Sequence, residues 1–425
     1  MQLVEVKVQG KTQTRVGIVL GIGIIITGAF ALHQDIFLRL LLGLGLGVAL
    51  TKGSIGFAGS VNRAYRRGST QLIQTLMLMF VVTAVINAGL LLGGGIEQYS
   101  LWINPINLGL IVGGLMFGFG MTLSSCCASG VMVEMVSDVP RALVTLLMFG
   151  IGVFIGFPIQ ALSPLVTETL VSTSSFEGKG VFLPDLFAWG PLNGYLMSVL
   201  VTITFATLTI YIARRYEAHR KQNGTYLGVD GEKARENIEK SDSPLALFSG
   251  LWSMNFTAIV IAVIFGIMMA TTSAGWGAST PFGLWFGKLL ISIGIESSSV
   301  ASFTHRPETL FTLPFFEHGV SVQNLGILLG TLVAVVWLGK WTSPFNAQYS
   351  AKQYALFSLG GLLMGVGTRF ANGCNVGALY TPIANFSLSG WVFFGALVVG
   401  GILGNQFARK VKLIDAAPLA KPVIQ

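Results

Sequence analysis

Long segments without a single charged side chain restrict the fold of this sequence more than any other feature. Residues 68–96, 98–133, 243–287 and 370–408 contain no Asp, Glu, Lys or Arg, and charged residues make up only 10% of the chain, against about a quarter in ordinary soluble domains. A helix in lipid satisfies its own backbone hydrogen bonds, whereas barrel strands would show a period-two alternation that is absent here. The sequence therefore predicts an all-α integral membrane protein.

The apolar runs also predict the number of crossings, since about 18 or more apolar residues can span a bilayer. Two segments, 37–59 and 281–299, each contain a lysine and many small residues, so we interpret them as re-entrant or half-length helices that protein must cover. The other runs predict about nine transmembrane helices. These lie at about 16–34, 71–93, 107–137, 142–163, 190–213, 246–272, 323–340, 353–388 and 390–408.

The surplus of positive charge indicates a membrane orientation. The net charge is +8, and the basic residues cluster beside the apolar runs, as they do on the cytoplasmic side of membrane proteins. With nine crossings and the N-terminus outside, the 214–245 loop and the C-terminus are expected in the cytoplasm. The basic residues of the first 15 positions then fall on the wrong side, as an exception to this rule. We therefore expect the protein to lie in a lipid bilayer and not to bind nucleic acid.

The nine predicted spans divide as four, one and four, and each group of four has one short element and one cysteine motif. The odd number of crossings between the groups inverts one relative to the other, a common plan for transporters with a site at the membrane midplane. We therefore expect a pseudo-symmetric inverted repeat. Its parts are 1–213 (first repeat plus a linking helix), 214–245 (basic cytoplasmic loop), 246–412 (second repeat) and 413–425 (tail).

All three cysteines lie in two glycine-framed stretches, GFGMTLSSCCASG at 118–130 and GVGTRFANGCNVG at 365–377. At one constant offset the identical pairs are Gly118 with Gly365, Gly120 with Gly367, Cys127 with Cys374 and Gly130 with Gly377. Glycine permits a helix break, and a broken helix exposes N–H groups that attract anions. We expect Ser129 and Asn375 to cap the second half-helices, with Gly373 at the position that Cys126 occupies in the first stretch.

Matched thiols in two repeats predict a soft binding site. A thiol is a weak donor with a polarizable sulfur, which suits an anion with a terminal sulfur that must be released after binding. The alternative is that Cys127 and Cys374 are small packing residues, as we expect for the unmatched Cys126. Arg369, inside the second stretch, either binds the anion or extends its side chain to the membrane edge.

Other chemistries have weaker support in the sequence. Adjacent Cys126 and Cys127 with the distant Cys374 leave no clear fourth metal ligand among the four histidines. There is no Walker loop, dinucleotide fingerprint or haem attachment sequence, and no CxxC pair that would favour a thiol-redox protein. We expect a transporter without a cofactor and not an enzyme, with a membrane redox protein or a structural subunit as alternatives.

The two stretches resemble the signature regions of the YeeE/YedE family of prokaryotic membrane proteins. Cys127-Ala-Ser-Gly130 and Gly373-Cys374-Asn-Val-Gly377 are similar to its two cysteine motifs, and Ser387-Leu-Ser-Gly-Trp391 follows the second. The resemblance implies an importer of thiosulfate or a related sulfur anion in the bacterial inner membrane, with an hourglass-shaped inverted repeat. It implies transfer between Cys127 and Cys374 through S–H···S hydrogen bonds, and a small cytoplasmic sulfur-carrier protein as partner. Some relatives are linked to selenium instead.

Two positions depart from the family pattern. Many members carry a further cysteine in the first short element, where this sequence has Phe57-Ala58, and Gly-Gly is common where this sequence has Ser125-Cys126. Two interpretations follow. Either Cys126 replaces the thiol that is absent at Ala58, or the substrate differs from thiosulfate.

Overall fold

The computed structural model describes residues 2–229, 232, 250–339, 341 and 345–411, and within these ranges it is almost entirely helical, with no strand beyond isolated bridges. The first half contains α1 (Gln2–Ala31), α2 (Gln34–Gly53), α3 (Phe57–Arg67), α4 (Gln71–Gly94), α5 (Leu108–Ser124), α6 (Ala128–Glu134), α7 (Val139–Leu162), α8 (Pro164–Thr167) and α9 (Leu183–Leu186). The second half contains α10 (Tyr195–Gln222), α11 (Met254–Thr272), α12 (Thr280–Ser292), α13 (Ser297–Thr304), α14 (Thr309–Thr312), α15 (Gly319–Trp337), α16 (Ala351–Phe370), the π-helical turn Asn375–Tyr380, α17 (Thr381–Ala384) and α18 (Ser389–Lys410). The prediction of an all-α membrane protein is confirmed.

Within the described residues, ten helical segments are long and apolar enough to cross a membrane. Nine of them overlap the nine predicted spans, and the tenth is Gln34–Arg67. The sequence interpretation took segment 37–59 as re-entrant or half-length because it contains a lysine and many glycines and other small residues. In the structure α2 has 20 residues, which at about 1.5 Å per residue gives about 30 Å, the thickness of a bilayer core.

The half-length elements are α3 after α2, and α12 with α13. The first has 11 residues, and the other two have 13 and 8, so none of them crosses alone. Phe57 at the start of α3 and Phe282 near the start of α12 both belong to the central buried cluster. Each short helix therefore begins inside the protein, as expected for a re-entrant element. The second agrees with the predicted segment 281–299, whereas the first lies C-terminal to most of 37–59.

The helix contacts repeat in pairs. The contact between α5 and α18 is matched by the contact between α16 and α7. In the same way, the α2–α15 contact is matched by the α11–α4 contact. The α4–α10 contact is matched by the α15–α1 contact. Exchanging α1, α2, α3, α4, α5 and α7 for α10, α11, α12, α15, α16 and α18, in that order, reproduces these contacts. We take α10 as the equivalent of α1, so the helix predicted as a linker belongs to the second half. The tail 413–425 and residues 233–245 lie outside the described residues.

The two halves are inverted, because equivalent helices cross in opposite directions. A methyl group built on Gly113 of α5 would lie 2.6 Å from the Gly367 carbonyl oxygen, and one built on Gly120 would lie 2.6 Å from that of Gly360. Followed in one direction across the molecule, the residue numbers therefore rise along α5 and fall along α16, so the two helices are antiparallel. A twofold axis relating antiparallel neighbours lies across the helices, in the membrane plane, which is the arrangement expected of an inverted repeat. The absence of a Cβ at these positions lets the backbones touch.

One end of the molecule, which we call the basic end, gathers the ends of α3, α10 and α18. Arg66 Nε donates to Asn405 Oδ1 at 2.7 Å, Arg409 lies over the Tyr65 ring, and Arg220 donates to the Tyr65 carbonyl oxygen at 2.8 Å. α5 ends here, because Arg66 donates to the carbonyl oxygen of Thr122 near its end. α16 runs antiparallel to α5 and parallel to α7, so α16 and α7 both start at this end. The opposite end carries α8, α9, α13 and α14.

Candidate functional site

Both cysteine stretches break a helix in the same way. α5 ends at Ser124 and Ser125 follows with φ 60°, whereas α16 ends at Phe370 and Asn372 lies in the same left-handed region with φ 56°. Ser125 and Asn372 are aligned by the same offset as the cysteines. The predicted broken helices are present, and the alignment predicted which residues correspond.

Cys127 and Cys374 are themselves the N-cap residues of the second half-helices. Each has extended backbone angles immediately before a helical turn, and their carbonyl oxygens accept from Val131 N–H at 2.7 Å and Ala378 N–H at 2.6 Å. The expectation that Ser129 and Asn375 are the N-caps is wrong, because each helix begins one or two residues earlier. Ser129 instead places its hydroxyl 3.5 Å from the Cys127 sulfur.

The structure brings the two matched thiols into one buried cluster. Cys127 is 1% exposed and Cys374 0%, and the cluster also contains Ala58 and Met121. The two stretches meet in this cluster, because Asn375 Nδ2 lies 3.9 Å from the sulfur of Met121 in the helix that leads to Cys127. The backbone N–H groups of Val376 and Gly377 lie beside the Cys374 sulfur. The starting turn of this half-helix thus donates toward the thiol.

Cys126 faces a different neighbourhood. It is buried, and the charged groups that influence its sulfur are Glu134 and Arg141. These two side chains form an ion pair, and Asp138 also pairs with Arg141 at 3.1 Å. Cys126 therefore lies between the matched thiols and the charged network at the start of α7.

The glycines of the two stretches let other groups approach the thiols. A Cβ on Gly130 would lie 3.4 Å from the Cys127 sulfur, and one on Gly377 would lie 2.7 Å from the Trp102 ring. A Cβ on Gly373 would lie 2.5 Å from the Gly377 backbone. The side chain of Asn375 is buried, with Nδ2 3.9 Å from the Met121 sulfur and Oδ1 without a hydrogen-bond partner among the described residues. All of these predicted site residues lie around the cysteine pair.

A group of aromatic residues in the same buried cluster as the thiols was not predicted from the sequence. Tyr380 is fully buried, with its ring centroid 4.9 Å from Phe265 and 6.2 Å from Trp276, and its hydroxyl is 2.8 Å from that of Thr83. The Nε1 of Trp276 is buried and has no acceptor in the described part of the chain. The only signal in the sequence was the position of Tyr380, one helical turn and a half after Cys374.

Arg369 points into the protein and not to the membrane edge. It is 3% exposed, and it donates to Ser279 Oγ at 2.8 Å, to Thr368 Oγ1 at 3.0 Å and to two further neutral oxygens. None of the ion pairs of the described residues includes it. Its equivalent, Thr122, donates instead to Asn62 Oδ1 at 3.2 Å. The two halves thus differ in charge at this position.

Comparison with known proteins decides the family, since the profile of the sulphur transport family matches residues 52–403. The chain belongs to this family. The resemblance to YeeE/YedE proteins is therefore confirmed, and with ten apolar helices the protein is a multi-pass membrane protein. Within the described residues, no group of three or more His, Cys, Asp or Glu side chains could hold a metal ion.

Several curated relatives are similar over different lengths. The thiosulfate transporter TsuA of Spirochaeta thermophila is 24% identical over 384 residues, which cover 87% of this chain and 97% of the relative. TsuA of Escherichia coli is 24% identical over 389 residues, or 89% of this chain and 97% of the relative. The probable transporter YedE of Escherichia coli is 28% identical over 167 residues, 38% of this chain and 40% of the relative. All three relatives are named as transporters.

Proposed function

We propose that this protein imports a sulfur-containing anion, with thiosulfate as the substrate, through a path that passes between Cys127 and Cys374. The observation that carries the proposal is the pair of matched thiols, each placed by a helix break at the start of a half-helix and both buried in one cluster. Full-length similarity to proteins named thiosulfate transporters supports the same substrate.

The chemistry of the path follows from what the thiols can donate. A thiol is a weak S–H donor, so it can bind the terminal sulfur of thiosulfate without holding it tightly. Passing the anion from one thiol to the other exchanges one S–H···S hydrogen bond for another and breaks no covalent bond. The N–H groups directed at Cys374 add positive potential at the same point. Weak binding at successive sites favours transport, because each site must also release.

The orientation we propose places the basic end in the cytoplasm of a bacterial inner membrane. Counting Gln34–Arg67 as a crossing moves the N-terminus to the same side as the 63–67 arginines, the 214–245 loop and the C-terminus. The basic residues of the first 15 positions, an exception with nine crossings, then also agree with the positive-inside rule. A small cytoplasmic sulfur-carrier protein would receive the anion at this end.

The thiol path is tested by uptake of ³⁵S-labelled thiosulfate into proteoliposomes containing the purified protein. We expect Cys127→Ser and Cys374→Ser to abolish uptake, and Cys126→Ser to retain it, because Cys126 faces Glu134 and Arg141. Uptake at the normal rate in both of the first two variants would contradict the thiol path. If the single variant Cys126→Ser also loses uptake, Cys126 takes the role of the thiol that is absent at Ala58.

Unlabelled sulfite and selenium oxyanions in the same assay identify the substrate. Thiosulfate should compete at the lowest concentration, since only it presents a terminal sulfur to the thiols. Stronger competition by a selenium compound would replace thiosulfate in the proposal while leaving the path unchanged. Uptake of none of these anions by the unmodified protein would contradict the proposed function.

A further inference from the structure

Two arginines from distant parts of the chain share one aromatic ring and one acceptor. The guanidinium carbons of Arg306 and Arg369 lie 5.1 and 5.5 Å from the centroid of the Phe157 ring. Both donate to the same atom, Gln160 Oε1, at 2.5 and 3.3 Å. Arg369 is buried and Arg306 is half-buried. The structure therefore places two positive charges next to each other, with Arg369 deeper in the protein than Arg306.

Neither charge has a counter-charge in the described part of the chain. The ion pairs found there involve Arg63, Arg141 and Lys221, and every acceptor of Arg369 is a neutral hydroxyl or amide oxygen. The Nε of Arg306 is buried and has no acceptor among the residues that the structure describes. A buried cation without a partner costs several kcal/mol, and an intramembrane arginine generally marks an ion pathway. The missing partner is an anion.

The arginine pair lies on the way to Cys374. Gln160 Nε2 donates at 2.6 Å to Asn372 Oδ1, in the break that precedes Cys374, and Arg369 lies in the last turn of α16, just before the same break. α7 starts at the basic end, and Phe157 and Gln160 lie near its other end at Leu162. The pair thus faces the end of the molecule opposite to the basic end.

We propose that Arg306, Arg369 and Gln160 form a capture site for a doubly charged sulfur oxyanion and present its sulfur to Cys374. The oxygens of the anion make charge-assisted hydrogen bonds with the guanidinium groups, which leaves a terminal sulfur free for the thiol. Arg306, partly exposed, makes the first contact, and Arg369 receives the anion deeper. Two cations favour a dianion over a monoanion of similar size. The proposal rests on the proposed function for the route and adds the site that selects charge.

The experiment compares Arg306→Gln with the unmodified protein in thiosulfate uptake by proteoliposomes, measuring KM and Vmax separately. We expect KM to rise about tenfold or more, with Vmax within about twofold, since a lost charge-assisted contact is worth roughly 1.5–3 kcal/mol. Inhibition by sulfate, a dianion without a terminal sulfur, should weaken by the same factor. Inhibition by the monoanion thiocyanate should weaken less. Arg306→Lys should fall between, because it keeps the charge but not the planar geometry.

The matched control is Arg39→Gln. Arg39 is also half-buried, donates to a neutral amide, Gln323, at 3.2 Å, and lies outside the described ion pairs, but it does not contact Phe157 or Gln160. Its loss should leave KM within about twofold. An equal rise of KM in both variants, or an unchanged KM in Arg306→Gln, would overturn the capture site.

A binding measurement separates failure of the capture site from failure of the proposed function. Sulfate and thiosulfate should raise the thermal midpoint of the unmodified protein in detergent, and this shift should be absent in Arg306→Gln. If the unmodified protein takes up no thiosulfate but shows the arginine-dependent shift, the proposed function fails and the anion site stands. If it takes up thiosulfate and shows no dianion-dependent shift, the capture site fails alone.

Discussion

The crossing of α5 and α16 sets the geometry of the two thiols, because each cysteine follows directly on one of these helices. Gly120→Ala tests this. The added Cβ would lie 2.6 Å from the Gly360 carbonyl oxygen and 3.0 Å from the Met364 backbone nitrogen. Both neighbours are backbone atoms of a rigid helix, so neither can rotate away. The helices themselves must separate.

The size of the effect follows from these distances. Non-bonded atoms normally approach to about 3.5 Å, so the contact at 2.6 Å requires a separation of about 0.9 Å. Overpacking of this kind costs about 1–3 kcal/mol. A displacement of about 1 Å at a site of precise contacts reduces rates by up to about 10²-fold. We therefore expect uptake to fall by at least about tenfold, together with a lower thermal midpoint.

The assay is thiosulfate uptake in proteoliposomes, with thermal unfolding of the same preparation in detergent. Gly395→Ala is the matched control, since Gly395 also lies inside a long helix but a Cβ there meets no atom within 4 Å. It should leave uptake unchanged and raise stability by about 0.5–1 kcal/mol, as alanine does in place of glycine in a helix. The reasoning is refuted if Gly120→Ala and Gly395→Ala behave alike in both measurements.

Three further predictions concern the breaks, one cap and the loop at the basic end. Ser125→Gly should raise stability by about 1 kcal/mol in thermal unfolding, because Ser125 has φ 60° where glycine is unstrained, and Asn372→Gly should gain less, since asparagine tolerates this region. Burial and two nearby cations lower the pKa of His318 in the folded protein. As the pH falls below about 6.5, the unfolded chain therefore takes up a proton before the folded protein does, and stability should fall. His318→Asn should remove this dependence in melting curves between pH 7.5 and 5. Glu232 pairs with Arg63 at 3.0 Å, so Glu232→Gln and Arg63→Gln should each increase protease cleavage of the adjoining loop several-fold. The double variant should be cleaved little faster than either single variant. An additive increase in cleavage would mean that the pair does not hold the loop.

Charge-free runs predicted the membrane fold because the cost of burying charge in lipid acts on every residue of a span. The same rule concealed the crossing of α2, since Lys52 lies within it. In the structure Lys52 is fully buried, and its Nζ lies 4.1 Å from the centroid of the Trp337 ring and 5.2 Å from that of Trp252. Trp337 is the last residue of α15 and Trp252 lies in the segment just before α11, so the sequence of α2 could not show how its lysine is accommodated.

The cysteine site was predictable in part for a related reason. The aligned glycines and cysteines reflect backbone requirements that act in each half separately, so a constant offset reveals them. The arginine pair has no such repetition. Arg306, Phe157 and Arg369 come from three separate segments, and their contact depends on how α7 and α16 pack, which no local pattern encodes.

The difference between Arg369 and its equivalent Thr122 has a consequence for direction. The inverted frame offers an anion the same backbone from either side, so the frame alone works as well backward as forward. Electric potential breaks that equality. Guanidinium groups without a counter-charge among the described residues stand before Cys374, whereas Arg141 near Cys126 is already neutralised by Glu134 and Asp138. Positive charges fixed at one end of a symmetric path therefore make its two directions unequal for an anion. Polarity of this kind can be changed by a few substitutions without rebuilding the helices.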